Sequence, residues 1–373
     1  MSMTVVSHAG GAGVSPAPSG CGTRLAGGGS RPVSLKKRIK GGILNLLKER
    51  LQLKDLSSFL QLSWNTWIFG SLPAWLSRRY LGLLGLMYFN LAAKEQKAIK
   101  RALGHCLAGA APRRIWPKIR AGIIDHYHEK LFLAFKSYGT IRNNCLKRVA
   151  ITNGHILDQA LAQGRGVILV TGHYGALEFM PGALAFRDYP LSVMVHCKTP
   201  RLRRILEERS SRAGTELMDP KSGEVFFTAL EHLKRGRVLI TQCDEISMWR
   251  PYRDKTTRFL GLTVPLDRSM DILARKSRAE VVLGLVHRKG RRRYELEFIR
   301  PQEHPAAAGQ SQVSAQCLSV LSDYILKQPS QWYEWKKLIQ FLPAEVDAVN
   351  ADNQTERLFN SLALQPGSVP QPG

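Results

Sequence analysis

The residues in this chain best placed to do chemistry are a histidine set between two glycines and a glutamate five positions later, in Gly172-His173-Tyr174-Gly175-Ala176-Leu177-Glu178. They follow Gly166-Val-Ile-Leu-Val-Thr171, a short apolar run of the kind that forms a buried strand. In open α/β sheets reactive groups gather beyond the carboxyl ends of the strands, which is where His173 would stand. Gly172 and Gly175 let the backbone turn tightly and a substrate come close. On a regular helix His173 and Glu178 would not share a face, so the turn itself must fold them together. Glu178 would then accept a hydrogen bond from one imidazole nitrogen. The other nitrogen, facing solvent, would be left as a general base. Such a base would draw the proton from an acceptor hydroxyl as it attacks a thioester carbonyl, with no serine or cysteine nucleophile. Spacing alone leaves a second reading open, a structural histidine, because single short motifs recur by chance.

The elements that must position this pair are legible as alternating strand and helix signals. Leu191–His196, Arg237–Gln242 and Glu280–Val286 resemble the first apolar run, while Arg293–Ile299 alternates as an edge or half-exposed strand would. Helical patterns lie between them near Ala176–Phe186, Arg201–Ala213, Gly223–Lys234 and Leu266–Arg278, with a last one over Ser311–Lys327. Residues 94–136 are also helical in pattern, broken at Pro112 and Pro117. This order predicts an α/β fold: a mixed, mainly parallel central sheet flanked by helices.

Two further groups of residues could meet a substrate. Lys198, Arg201, Arg203, Arg204, Arg209 and Arg212 are gathered on one helical stretch, with Arg201, Arg204 and Arg212 near one face. Arginine binds phosphate in two-pronged fashion and stays charged, so the stretch suits a phosphorylated head group. A solvated basic face paired with Glu207 and Glu208 fits as well. Asp244 falls just past the Arg237–Gln242 run and reads either as a loop cap or as a residue lining the site.

Composition narrows the partners. Lys and Arg total 54 against 29 Asp and Glu, a net charge of +25, which draws polyanions such as nucleic acid or anionic lipid. No helix-turn-helix, zinc-ligand or RNA-binding signature accompanies the charge, so nucleic acid is not the expected partner. The 6 cysteines form no CxxC pair and no metal-ligand cluster, so the expectation is free thiols, no metal site and no disulfide framework. Met1–Arg31 is rich in Gly, Ser, Pro and Ala and reads as neither a signal peptide nor a membrane span. From Leu35 to Leu51 apolar residues at helical spacing alternate with basic ones, which suits either a membrane interface or a helix packed on its own domain. Phe59–Ala93 is the most apolar region and carries Trp64, Trp67, Trp75 and Tyr80, but its runs fall short of the roughly 20 residues that span a bilayer. It reads as an interfacial seat or as a pair of buried helices.

Beyond the histidine motif, GRGVILVTGHYGALEFMPGAL resembles the core block of the bacterial lipid A biosynthesis (lauroyl/myristoyl) acyltransferases, a branch of the lysophospholipid acyltransferase superfamily. LPAWLSRRYLGLLGLMYFNLA, RFLGLTVPLDRSMDILARKSRAEVVLGLVHRKG and QPSQWYEWKK resemble that family's membrane-proximal, later and C-terminal blocks in the same order, covering about residues 72–337. The resemblance implies an α/β acyltransferase with His173 as base, Glu178 as its acidic partner and no cofactor beyond the acyl donor. It also implies substrate contacts at Arg201, Arg204, Arg209 and Asp244. The chain departs from the family in IKRALGHCL, which lacks an expected Asn, and in Cys197-Lys-Thr-Pro-Arg201, where an Asn-Pro segment is usual. Both departures leave the acceptor open.

The expected organisation is a loose tail (1–34), a helical membrane-associating segment (35–93), an acyltransferase domain (94–343) and a C-terminal tail (344–373). The expected activity is transfer of a fatty acyl group from acyl carrier protein or acyl-CoA to a hydroxyl of a lipid A-like glycolipid or phospholipid. The expected place is the cytoplasmic face of the inner membrane, as a peripheral or monotopic protein on an anionic surface. The competing class is a basic membrane- or nucleic-acid-binding protein without catalysis.

Overall fold

The computed structural model describes residues 71–91, 93–107, 112–195, 200–220, 222–246, 250–290 and 292–342. The two tails and the basic amphipathic stretch from Leu35 lie outside the described residues.

The chain reaches its sheet through helices α1 (Ala74–Leu91), α2 (Ala93–Cys106), α3 (Pro112–Phe135) and α4 (Tyr138–Arg148). After them come β1 (Val149–Thr152), α5 (Gly154–Ala162), β2 (Val167–Thr171), α6 (Phe179–Ala185), β3 (Leu191–Met194), α7 (Pro200–Arg212), β4 (Glu216–Met218), α8 (Val225–Lys234) and β5 (Val238–Gln242). The remainder is β6 (Pro251–Phe259), β7 (Leu262–Asp267), α9 (Ser269–Ser277), β8 (Glu280–Arg288), β9 (Tyr294–Ile299), α10 (Val313–Lys327) and four short 3-10 turns, Pro301–Glu303, Pro305–Ala307, Pro329–Gln331 and Trp335–Phe341.

Among the described residues, seven strands form one sheet in the order β1-β9-β8-β2-β5-β3-β4. All neighbours are parallel except β8 and β9. The expected mixed, mainly parallel sheet flanked by helices is what the chain forms. Strand β2 shows why its apolar run is unbroken. Ile168 and Val170 enter the apolar layer on one face, and Val167 and Leu169 the layer on the other. A strand covered on both faces loses the usual polar alternation.

Two sequence expectations change. β9 is not an edge strand: it lies between β1 and β8, and its half-exposed pattern comes from incomplete cover on one face. Pro117 does not break a helix, because α3 begins at Pro112 and runs through it. Pro117 sits at the sixth position of the helix, so it forgoes one intrahelical bond, to the Arg113 carbonyl, without ending the helix. Strands β6 and β7 form a hairpin turning through Leu260 and Gly261, both at positive φ (52° and 81°).

Helix α1 docks on α3 through Leu81, Leu131 and Ile124, and Arg78 grips Asp125 with two bonds of 2.9 Å. Gly85 has Ile124 in the place a Cβ would take, which keeps the two helices close. The opposite face of α1 presents Trp75, Leu83, Leu86 and Met87 to solvent. No helix among the described residues is long and apolar enough to cross a membrane.

Candidate active site

His173 stands where β2 ends, and the parallel register decides what it meets. Thr171 pairs with Gln242 of β5, so two residues further on each strand His173 and Asp244 lie side by side. The turn is pinned from several directions. The N–H of Cys243 donates to the Thr171 carbonyl (2.8 Å), that of Gly175 to Gln331 (2.8 Å) and that of Ala176 to Val286 (2.8 Å). Arg288 donates to the Gly175 carbonyl and makes a two-pronged pair with Glu129 of α3 at 2.8 Å. Both glycines are required. A Cβ on Gly172 would run into Leu321, and Gly175 has φ +59° with the Val286 carbonyl in the way of a side chain.

Asp244 is fully buried and takes three N–H donors. Its Oδ1 stands 2.9 Å from His173 Nδ1, and its Oδ2 accepts from the His173 backbone N–H (2.8 Å) and from the Trp332 indole (2.7 Å). A carboxylate cannot donate, so Nδ1 carries a hydrogen and Nε2 is the exchanging nitrogen. Trp332 is backed edge-on by Phe259 at the tip of β6 and by Trp335. On the far side of the ring, Nε2 meets Glu245 Oε1 at 3.1 Å and Glu334 Oε1 at 3.9 Å. Lys337 Nζ binds Glu245 Oε2 at 2.9 Å.

These charges set the protonation states. Burial alone would lower the His173 imidazole, but the Asp244 carboxylate, aided by Glu245, raises it to about 10 against the opposing Lys337. Burial works to raise the Asp244 carboxyl, and its contacts with His173 bring it down to about 2. At neutral pH the resting pair is therefore imidazolium and carboxylate. His173 is also buried, at 3 % exposure, rather than facing solvent as the sequence suggested.

Glu178 does not fold back onto His173. The turn continues into α6 and sends its side chain to His126 of α3, 3.4 Å from Nδ1. His126 stacks flat on Tyr333 with centroids 3.5 Å apart, and Tyr333 meets His173 edge-on at 5.3 Å. Burial lowers the His126 imidazole, against the raising pull of Glu178. The Glu178 carboxyl, which burial would raise, is held at about 2 by His126 and Lys130.

The remaining sequence candidates separate. Asp244, expected to touch substrate, is instead the direct partner of the His173 ring, its oxygens already engaged by N–H groups. Arg209 is half-buried and donates to the Leu133 and Lys136 carbonyls at the end of α3, so its guanidinium holds helices together. Arg203 pairs with Asp219 at 2.9 Å, and Arg212 lies over Tyr138. Arg204 is exposed. Lys198 and the Arg201 side chain lie outside the described residues. Sequence reasoning passed over Glu245, His126 and Lys337 as site residues. Glu245 had a signal in its place beside Asp244. His126 had none, since only the fold brings α3 to the turn.

The family model of bacterial lipid A biosynthesis acyltransferases matches residues 48–338, which takes in every site residue described above. The chain belongs to that family, an acyltransferase family. No curated protein matches the chain.

Proposed function

We propose that the protein moves a fatty acyl group from an acyl carrier protein or acyl-CoA thioester to a hydroxyl of a lipid A-like glycolipid or phospholipid, with His173 as general base. The observation that carries this reading is the His173–Asp244 contact at the carboxyl edge of the sheet. It fixes the tautomer, so that Nε2 is the nitrogen that takes up the acceptor's proton. As that proton passes to Nε2, the acceptor oxygen bonds to the thioester carbon. The tetrahedral intermediate then collapses, the carbon–sulfur bond breaks, and the imidazolium returns the proton to the departing thiolate. A positioned base of this kind contributes roughly 10²- to 10⁴-fold. Asp244 stabilises the imidazolium formed in the first step. Glu178 acts from behind, ordering His126 and Tyr333, which form one wall beside the base.

The net charge of +25 and the apolar face of α1 support a seat on an anionic membrane surface on the cytoplasmic side of the inner membrane. Trp75, Leu83 and Met87 would dip into the interface, with Arg79, which lies over the Trp75 ring, reaching toward head groups. The same charge would attract acyl carrier protein if that partner is acidic. Arg204, with Arg201 nearby in sequence, is the candidate contact for a phosphate on either substrate, while Arg209 is committed to α3.

The test is acyl transfer by the purified full chain from labelled acyl-ACP, and separately acyl-CoA, to a bacterial lipid extract. Transfer is expected, and His173→Ala is expected to abolish it. Undiminished transfer by that variant would sink the mechanism.

A further inference from the structure

A base needs an unobstructed nitrogen, and Nε2 of His173 does not have one. Glu245 Oε1 stands 3.1 Å away, within the ~2.6–3.2 Å at which an acceptor hydroxyl must sit to surrender its proton. Glu245 is 6 % exposed, so this is no loose surface side chain. Its two oxygens differ. Oε2 has the Lys337 ammonium at 2.9 Å, whereas Oε1 is buried without a hydrogen bond of good geometry and meets the ring as charge against charge. A buried acceptor with unspent lone pairs, set against the nitrogen that should receive the substrate, marks a place that another group is built to fill.

We propose that Glu245 is a positioning residue that occupies the acceptor's place at Nε2 and must swing away, keeping its hold on Lys337, before the acceptor hydroxyl can dock. The inference rests on the reading of His173 as the base. The charged and titratable groups facing the ring are Asp244 and Glu245 from the segment after β5, and Tyr333, Glu334 and Lys337 from the C-terminal segment. Two close carboxylates against one lysine keep the ring in its charged form, which cannot act as a base. Displacement of Glu245 opens the space and removes one of the charges that hold the Nε2 proton. That proton passes to solvent, and the acceptor's proton later takes its place. The functional gain is protection of the thioester: while Glu245 is seated, the ring does not activate water, so the acyl group waits for its acceptor.

Lys337 supplies an internal control, because it pulls Glu245 from the other side. Glu245→Gln should lower the pH at which His173 titrates, and Lys337→Met should raise it, each by about one unit. The titration is read by NMR on the full chain with isotope-labelled histidine, the His173 signal being identified by its loss in His173→Gln. The companion measurement is thiol release from a saturated long-chain acyl-CoA without acceptor, expected to rise several-fold in Glu245→Gln while Glu245→Asp stays near the parent rate. With acceptor present, the acid limb of kcat/KM should move in the same two directions. A His173 titration unmoved in both variants, or unchanged acceptor-free thiol release, overturns the proposal. A titration that moves while the acid limb stays put leaves the Glu245 contact standing and defeats the assignment of His173 as the base.

Discussion

Two histidine–carboxylate pairs flank Tyr333, and both are buried, yet they are built differently. In His173–Asp244 the carboxylate accepts the ring, the backbone N–H of the same histidine and the Trp332 indole, with close distances and all donors aligned. In His126–Glu178 the approach is 3.4 Å, and both His126 Nδ1 and Glu178 Oε2 lack a hydrogen bond of good geometry. The carboxylates raise the first ring's proton affinity, whereas burial lowers that of the second. A histidine beside a carboxylate is therefore not a role in itself. What distinguishes the first pair is the number of donors converging on its carboxylate and the presence of a second carboxylate at the opposite nitrogen.

The comparison can be broken most directly at the rings. His173→Ala should lower the transfer rate by on the order of 10⁴-fold, whereas His126→Phe, which keeps a flat ring against Tyr333, should cost about tenfold. Because His173 is buried against Asp244, its loss leaves that buried carboxylate without its cationic partner. The melting temperature should then fall by roughly 5 °C or more, so both assays belong well below that temperature. Among the carboxylates, Asp244→Asn should reduce the rate by on the order of 10²-fold or more by upsetting the tautomer, with Glu178→Gln costing less. An equal loss in the two would return Glu178 to the direct role suggested by its sequence spacing.

A subtler contrast lies in pH. The His173 value is raised from 6.5 to about 10 on folding, so its contribution to stability is complete below pH 6.5 and is lost as pH climbs through about 10. Asp244 has the opposite sign, its contribution being present above pH 3.8 and lost as pH falls toward about 2. Thermal denaturation from pH 6.5 to 10 should show declining stability in the parent and a flatter profile in His173→Gln. The smallest effect on chemistry is expected away from both pairs. Replacing Trp75, Leu83 and Met87 by serine should weaken flotation with anionic vesicles, while the rate on detergent-dispersed substrate stays within about twofold.

Much of the scaffold was legible in the linear pattern. The apolar runs at β2, β5 and β8 were visible because each is buried on both faces, and a helix such as α8 because it buries one face. Short elements escaped. β1 and β4 have four and three residues, too few to show a period, and the β6–β7 hairpin is mostly polar on its exposed side. Within the site His173 and Asp244 were both singled out, but their partnership was not. The His173–Glu178 spacing offered a nearer carboxylate, and the correct one lies 71 residues away.

The amino-acid order by itself determined that a histidine would end a buried strand between two glycines, with an acid ending another strand of the same kind. Those are local properties of apolar runs and of backbone freedom at glycine. Only the tertiary structure decided which acid reaches which ring, because that follows from the register of β2 against β5 and from α3 and the C-terminal segment closing over the turn. Charge state followed in turn, since an imidazole takes its proton affinity from the charges packed around it and not from its neighbours in the chain.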